Sequence, residues 1–236
     1  MEEGIRFRKS FLITLLFIIV MWSIKGVEYT LGYNFGEYGI LPRTLSGSVG
    51  IFTAPLIHGD FFHLISNTLP ILILGVGLFY FYDKIAPWVV LIIYFITGFW
   101  VWIAAREAYH IGASGIVYGL LTFLLVSGFI RKNTSSLAIS FIVLFIYGGT
   151  LFTGVIPADS SISWESHLLG ALSGVFCAIY FKNFDREVEP NVASDETGAG
   201  NQSFQYYYKP SAEEQENESP KGQSYTIRYT FKSKDN

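Results

Sequence analysis

The chain of 236 residues has one cysteine, Cys177, so an internal disulfide cannot form and a zinc site built on paired cysteines is excluded. Charge is scarce: Asp, Glu, Lys and Arg make up 15% of the residues, against about a quarter in an average soluble domain. The formal net charge of −3 leaves no basic excess, which gives no footing for nucleic acid as a partner. The acidic excess lies mostly in the C-terminal segment, where Glu213, Glu214, Glu216 and Glu218 cluster. No small-residue cleavage site follows the first apolar run. Trp22-Ser-Ile-Lys-Gly-Val-Glu28 is a poor match, so the run behind Arg6, Arg8 and Lys9 is expected to be a retained span.

Apolar and aromatic residues fill the space that charge leaves. They amount to 51% of the chain, with 17% aromatic and a mean hydropathy of +0.39. Six apolar stretches stand out, at about 11–24, 61–82, 86–105, 113–130, 135–153 and 166–181, most of them close to the roughly 20 residues that cross a hydrocarbon core as a helix. The expected fold is therefore an all-α integral membrane protein, a six-helix transmembrane bundle over residues 11–182. A short cytoplasmic N-terminus (1–10) is expected to precede it. A polar tail (183–236), rich in Glu, Ser, Asn, Gln and Lys, is expected to be a disordered cytoplasmic appendage, although Ser224–Lys232 alternates enough to pair as a strand. With the N-terminus inside, the inner flanks hold Arg6, Arg8, Lys9, Lys84, Arg131, Lys132, Lys182 and Arg186, and the outer flanks hold Lys25, Arg43 and Arg106. That imbalance places both termini in the cytoplasm.

Three polar clusters interrupt this apolar background: His58-Gly-Asp-Phe-Phe-His63-Leu-Ile-Ser-Asn67, Gly112-Ala-Ser114-Gly115 and Ser166-His167-Leu-Leu-Gly170-Ala-Leu-Ser-Gly174. They open the second, fourth and sixth stretches, which under this topology all run from outside to inside. Polar groups are costly in a membrane, and three clusters at one shallow depth point to a shared site. His63 and Asn67 stand four apart, on one helix face. Ser114 falls at a helix N-terminus, where free backbone N–H groups favour developing negative charge. Gly115 and Gly119 form one small-xxx-small pair, Gly170 and Gly174 another, so two helices can approach closely enough to join Ser114 and His167.

Each feature also has a plain structural explanation. Gly-x-Ser-Gly is common in membrane helix packing, a histidine near a span end often bonds a backbone carbonyl, and His-x-x-x-Asn can clasp two helices.

Taken together, the chain resembles the rhomboid family of intramembrane serine proteases. The matching pieces are His58-x4-His63-x3-Asn67, Gly112-x-Ser114-Gly115 followed by Tyr118, and His167-x2-Gly170-x3-Gly174. The resemblance implies Ser114 as nucleophile, His167 as its base, His63 and Asn67 as the oxyanion site, and Tyr118 packed beside the His167 ring. It also implies a histidine at the place of His58, with a role in catalysis or in loop hydrogen bonding, and it implies no metal and no cofactor. The implied partners are single-span membrane protein substrates and the lipid bilayer, in a bacterial inner membrane. The chain departs from the family where many members carry a Trp-Arg pair in the loop after the first span. Val49-Gly50 stand there, with Pro42-Arg43 further upstream.

A serine hydroxyl needs a neighbouring base to act as a nucleophile. No carboxylate lies in the sixth stretch to orient His167: Glu165 is expected just outside it and Asp159 in the preceding loop. A Ser–His dyad steadied by Tyr118 is therefore expected. Residues 153–163 are expected to form a flexible cap, and residues 25–57 to dip into the interface on Tyr29, Tyr33, Phe35 and Tyr38. His110 is expected to be an interfacial residue. Two other functions share these features: a catalytically silent rhomboid-like protein that escorts membrane clients, and a small transporter or channel. The second has few charges within its spans to work with.

Overall fold

Apolar segments that cannot bond their backbones to water fold as helices. The computed structural model of the protein describes residues 2–157 and 163–184, and those residues are helical almost throughout. Expectations that fall on 158–162, five of the eleven residues of the proposed cap, and on the tail from 185 lie outside the described residues, while Thr153 and Gly154, expected in that cap, are the last residues of a helix. In chain order the helices are α1 (Glu2–Leu31), α2 (Gly50–Thr53), α3 (Phe61–Phe81), α4 (Ala86–Ala104), α5 (Ser114–Arg131), α6 (Thr134–Gly154) and α7 (Trp164–Tyr180). Helices α1, α3, α4 and α5 are long and apolar enough to cross a membrane. At 17 residues, α7 is about 26 Å long, shorter than the hydrocarbon core of about 30 Å.

Two boundaries differ from the sequence expectation. α1 reaches Leu31, well past residue 24, because Lys25 and Glu28 are neutralised inside the fold. α7 begins at Trp164, so Glu165 lies within its first turn and is buried there.

The segment between α1 and α3 is built of turns: three 3-10 turns (Phe35–Tyr38, Ser46–Val49 and Ala54–Leu56) surround α2. Tyr29, Tyr33 and Tyr38 are exposed on this segment and Phe35 is half-buried. Arg43 supplies its anchor. The Arg43 guanidinium donates to the carbonyls of Ala105 (2.7 Å) and Ile103 (3.2 Å), its N–H donates to Trp102 O, and the Trp102 indole donates to Thr44 O. A cation on the last carbonyls of α4 satisfies acceptors that a helix end leaves open. The segment is thus held to the end of α4 through a residue upstream of Val49-Gly50.

A second anchor joins this end of α1 to α3. Lys25 Nζ donates to Glu28 (2.7 Å) and to the carbonyls of His58 (3.0 Å) and Gly59 (2.9 Å), while Glu28 accepts the Phe35 N–H (2.9 Å). Both side chains are buried, and all three ammonium protons have acceptors.

The core is a mixed aliphatic and aromatic cluster, with Phe123 and Leu124 of α5 against Leu74 and Leu78 of α3, Met21 of α1 and Ile93 of α4. Large apolar side chains such as Phe145 and Phe152 of α6 face outward, as lipid contact requires. The closest packing is between α5 and α7. A methyl group built on Gly170 would overlap the Gly115 carbonyl, and one on Gly174 the Gly119 carbonyl. Deeper in the bundle the Thr122 hydroxyl donates to Ala171 O across the same interface (2.8 Å).

This interface yields a stability test. Gly170→Ala forces the two backbones apart and is expected to lower stability by about 1–3 kcal/mol. Gly149→Ala, where an added methyl meets nothing within 4 Å, is expected to leave stability unchanged. Thermal unfolding of the two variants in detergent reads the difference. Equal melting points would remove the close α5–α7 contact.

Candidate active site

The three polar clusters converge at one end of the bundle, because each sits at the start of a helix and those starts adjoin. Asp60 is the N-cap of α3, its carboxylate accepting the His63 N–H at 2.7 Å. That cap sets the first turn of α3 and with it the direction of His63. His58, just before the cap, is buried, and its ring stands edge-on to the His63 ring with centroids 5.1 Å apart. The Ala113 N–H donates to His58 Nε2 (3.4 Å), tying this loop to the residue that precedes Ser114. His58 Nε2 thus accepts from the segment that leads into Ser114.

Ser114 and His167 are in direct contact, with Oγ and Nε2 at 2.7 Å. On its other side, His167 Nδ1 lies 2.7 Å from the carbonyl oxygen of Gly154. A carbonyl can only accept, so Nδ1 carries the proton and Nε2 is left to accept from the serine hydroxyl. That is the tautomer a general base needs. The ring stacks on Tyr118 with centroids 4.5 Å apart and planes 10° from parallel, and the Tyr118 hydroxyl donates to Leu151 O (2.5 Å).

Gly154 is the residue that sequence reasoning missed. Its carbonyl ends α6, where four acceptors lack helical partners and the negative end of the helix dipole lies. It occupies the place of a carboxylate, and a charge developing on His167 is favoured there. A side chain at Gly154 would run into Tyr118 and His167, which makes the glycine a steric requirement. The available signal was a glycine near the end of an apolar stretch, one pattern among many in a chain with 23 glycines.

His63 and Asn67 lie beside this pair. Gly112 has φ +106°, open to few residues but glycine, and the His63 ring fills the space its Cβ would take, with Nε2 2.7 Å from that point. His63 thus stands over the segment leading into Ser114. Asn67 is buried and donates to the His63 carbonyl (2.9 Å), which leaves its second amide proton for another acceptor. The N–H groups of Ser114 and Gly115 head α5, where no helical acceptor exists for them. Gly115, Gly170 and Gly174 serve the α5–α7 contact described above. Among the described residues no cluster of three or more His, Cys, Asp or Glu side chains could hold a metal ion.

One expectation is overturned. His110 is 2% exposed, bonded on both ring nitrogens and paired through its backbone with Ile40, so it is an interior residue and not an interfacial one. Its ring is satisfied by the nearby Arg106 carbonyl and by Ser163, which is distant in sequence.

The family model described as Rhomboid domain matches residues 46–184. An uncharacterized protein of Mycobacterium tuberculosis and one of Mycobacterium bovis are each 34% identical to the chain over 178 residues, covering 70% of this chain and 72% of theirs. An uncharacterized protein of Mycobacterium leprae is 34% identical over 181 residues, covering 70% of this chain and 68% of its own.

The His58 contacts predict how stability depends on pH. Burial, and after it the nearby His63, lowers the imidazole from 6.5 to about 4. Between those values an unfolded chain binds a proton that the native ring refuses, so stability falls as pH drops from 6.5 towards 4. The loss is on the order of 3 kcal/mol at one ring. Unfolding measured across this range is expected to show a shallower acid slope for His58→Gln than for wild type. An unchanged slope would mean that His58 titrates normally.

Proposed function

The chain belongs to the rhomboid family, and from that membership we propose that it is an intramembrane serine endopeptidase working through a Ser114–His167 dyad. The observation that carries this reading is the contact of Ser114 Oγ with His167 Nε2 at 2.7 Å, with Nδ1 committed to a carbonyl on the opposite side.

The chemistry follows from those two hydrogen bonds. His167 Nε2 takes the hydroxyl proton as Ser114 Oγ attacks a peptide carbonyl, forming a tetrahedral oxyanion. Its donors are the Ser114 backbone N–H and the side chains of His63 and Asn67. The imidazolium, favoured by the Gly154 carbonyl, protonates the leaving amine as the C–N bond breaks. Water, deprotonated by the same ring, then releases the acyl group and restores the serine. A carbonyl gives less charge stabilisation than a triad carboxylate, so slow turnover is expected.

The substrate is a single-span membrane protein whose helix unwinds near the outer face. Unwinding is needed because an intact helix keeps its carbonyls in its own hydrogen bonds. The excess of Lys and Arg on the inner flanks supports cytoplasmic termini and an outward-facing site in a bacterial plasma membrane. A site at that shallow depth has access to the water that deacylation consumes.

The test is cleavage of a single-span reporter by purified protein in liposomes. Wild type is expected to cleave and to react with a serine-directed probe at Ser114. Ser114→Ala and His167→Ala are expected to abolish cleavage with folding intact. Asn67→Ala, which leaves two other oxyanion donors, is expected to cost less than the 10²–10³-fold typical (on the order) of a lost donor. Cleavage by Ser114→Ala at the wild-type rate would end this assignment.

A further inference from the structure

The α5–α7 interface is glycine against carbonyl, which sets how closely the helices approach but offers little resistance to sliding along their length. The Ser114–His167 bond is sensitive to such a slide, since a misplacement of about 1 Å in reacting groups can cost on the order of 100-fold in rate. The Thr122–Ala171 hydrogen bond holds the interface deeper in the bundle, about 12 Å along α5 from Ser114. The end that carries the dyad needs a tie of its own.

We infer that a hydroxyl chain running from His110 through Ser163 to Ser166 sets the axial position of α7 against α5, and so makes His110 and Ser163 positioning residues for the dyad. This rests on the protease reading given above.

The two residues occupy the same offset, His110 four before Ser114 and Ser163 four before His167. Their side chains meet, with His110 Nδ1 and Ser163 Oγ at 2.5 Å. His110 itself is fixed on three sides. It exchanges two backbone hydrogen bonds with Ile40, both 2.9 Å, and its Nε2 lies 3.0 Å from Arg106 O. That carbonyl only accepts, so Nε2–H donates and Nδ1 must accept from the Ser163 hydroxyl. Ser163 Oγ then accepts from Ser166 Oγ at 2.6 Å, and every proton in the chain has an assigned direction.

The consequence reaches His167 through the backbone. Ser163 O accepts the His167 N–H at 3.3 Å, so one residue holds His110 by its hydroxyl and His167 by its carbonyl. Ser166 O in turn lies against Gly115, 3.1 Å from where a Cβ would stand. Beside the chain, buried Glu165 faces Arg106, with Oε1 3.4 Å from its N–H and 3.7 Å from its guanidinium, a second link from the α4–α5 loop to α7. Burial pushes the His110 imidazole below 6.5, which keeps Nδ1 free to accept near neutral pH.

The experiment compares His110→Phe, His110→Asn and Ser163→Ala in the full chain, with reporter cleavage resolved into kcat and KM. His110→Phe and Ser163→Ala are each expected to lower kcat by about 10- to 100-fold with KM unchanged. His110→Asn, which keeps a side-chain acceptor, is expected to recover most of that loss. The double variant His110→Phe/Ser163→Ala is expected to be no worse than its poorer single, because both break one chain. A readout independent of turnover uses nitrogen-15 spectra of histidine-labelled protein, in which only four imidazoles appear. Wild-type His110 is expected as the Nε2–H tautomer, and Ser163→Ala is expected to shift the His167 Nε2 resonance. The inference is overturned by wild-type kcat in both single variants, by an additive double variant, or by an unmoved His167 resonance. A Ser114→Ala protein that still cleaves would instead sink the protease reading, while the spectra would still decide the hydroxyl chain.

Discussion

Contact between the backbones of α5 and α7 is the constraint from which the site follows. Lipid offers no hydrophobic drive for helices to associate, so they pack where small residues let main chains meet. Gly170 and Gly174 press on the carbonyls of Gly115 and Gly119, with the small Thr122 side chain alongside Gly174. At that separation a serine in the first turn of one helix and a histidine in the first turn of the other touch without distortion. A larger residue at any of these positions would open a gap that neither Ser114 nor His167 could cross.

Close approach alone leaves the histidine ring free to turn, and α6 removes that freedom. Its last turn offers two unpaired acceptors, Leu151 O to Tyr118 and Gly154 O to His167. The ring is stacked on one face and hydrogen-bonded at both nitrogens, so tautomer and orientation are fixed together. A helix terminus thus does part of the work that a buried carboxylate does in a triad, without the cost of placing another charge in low dielectric.

The rest of the polar inventory holds loops to helix ends. Lys25 binds the turn before α3, Glu28 takes the N–H of Phe35 just after α1, Arg43 caps α4, and His58 takes the N–H of Ala113. The Lys25, Arg43 and His58 links join segments far apart in sequence and hold the loops at this end of the bundle to helix termini. Buried ions of this kind are costly unless fully paired, and Lys25 meets three acceptors.

Local chemistry made much of this legible in the sequence. Apolar length set the helices, the glycine spacing identified the facing surfaces of α5 and α7, and the polar clusters at matched helix starts joined Ser114, His167, His63 and Asn67 as one group. All of these depend on periodicity and on the cost of polar groups in lipid, which are properties of short segments. The tertiary structure alone decided the partners of groups whose satisfaction comes from far along the chain. Gly154 was invisible because it contributes a carbonyl, which every residue has. His110 was misread because Ser163 and the Ile40 backbone hold it inside the fold, and Glu165 because Arg106 lets a carboxylate enter α7. A sequence shows which groups need a partner, whereas the identity of that partner is settled only when the helices are brought side by side.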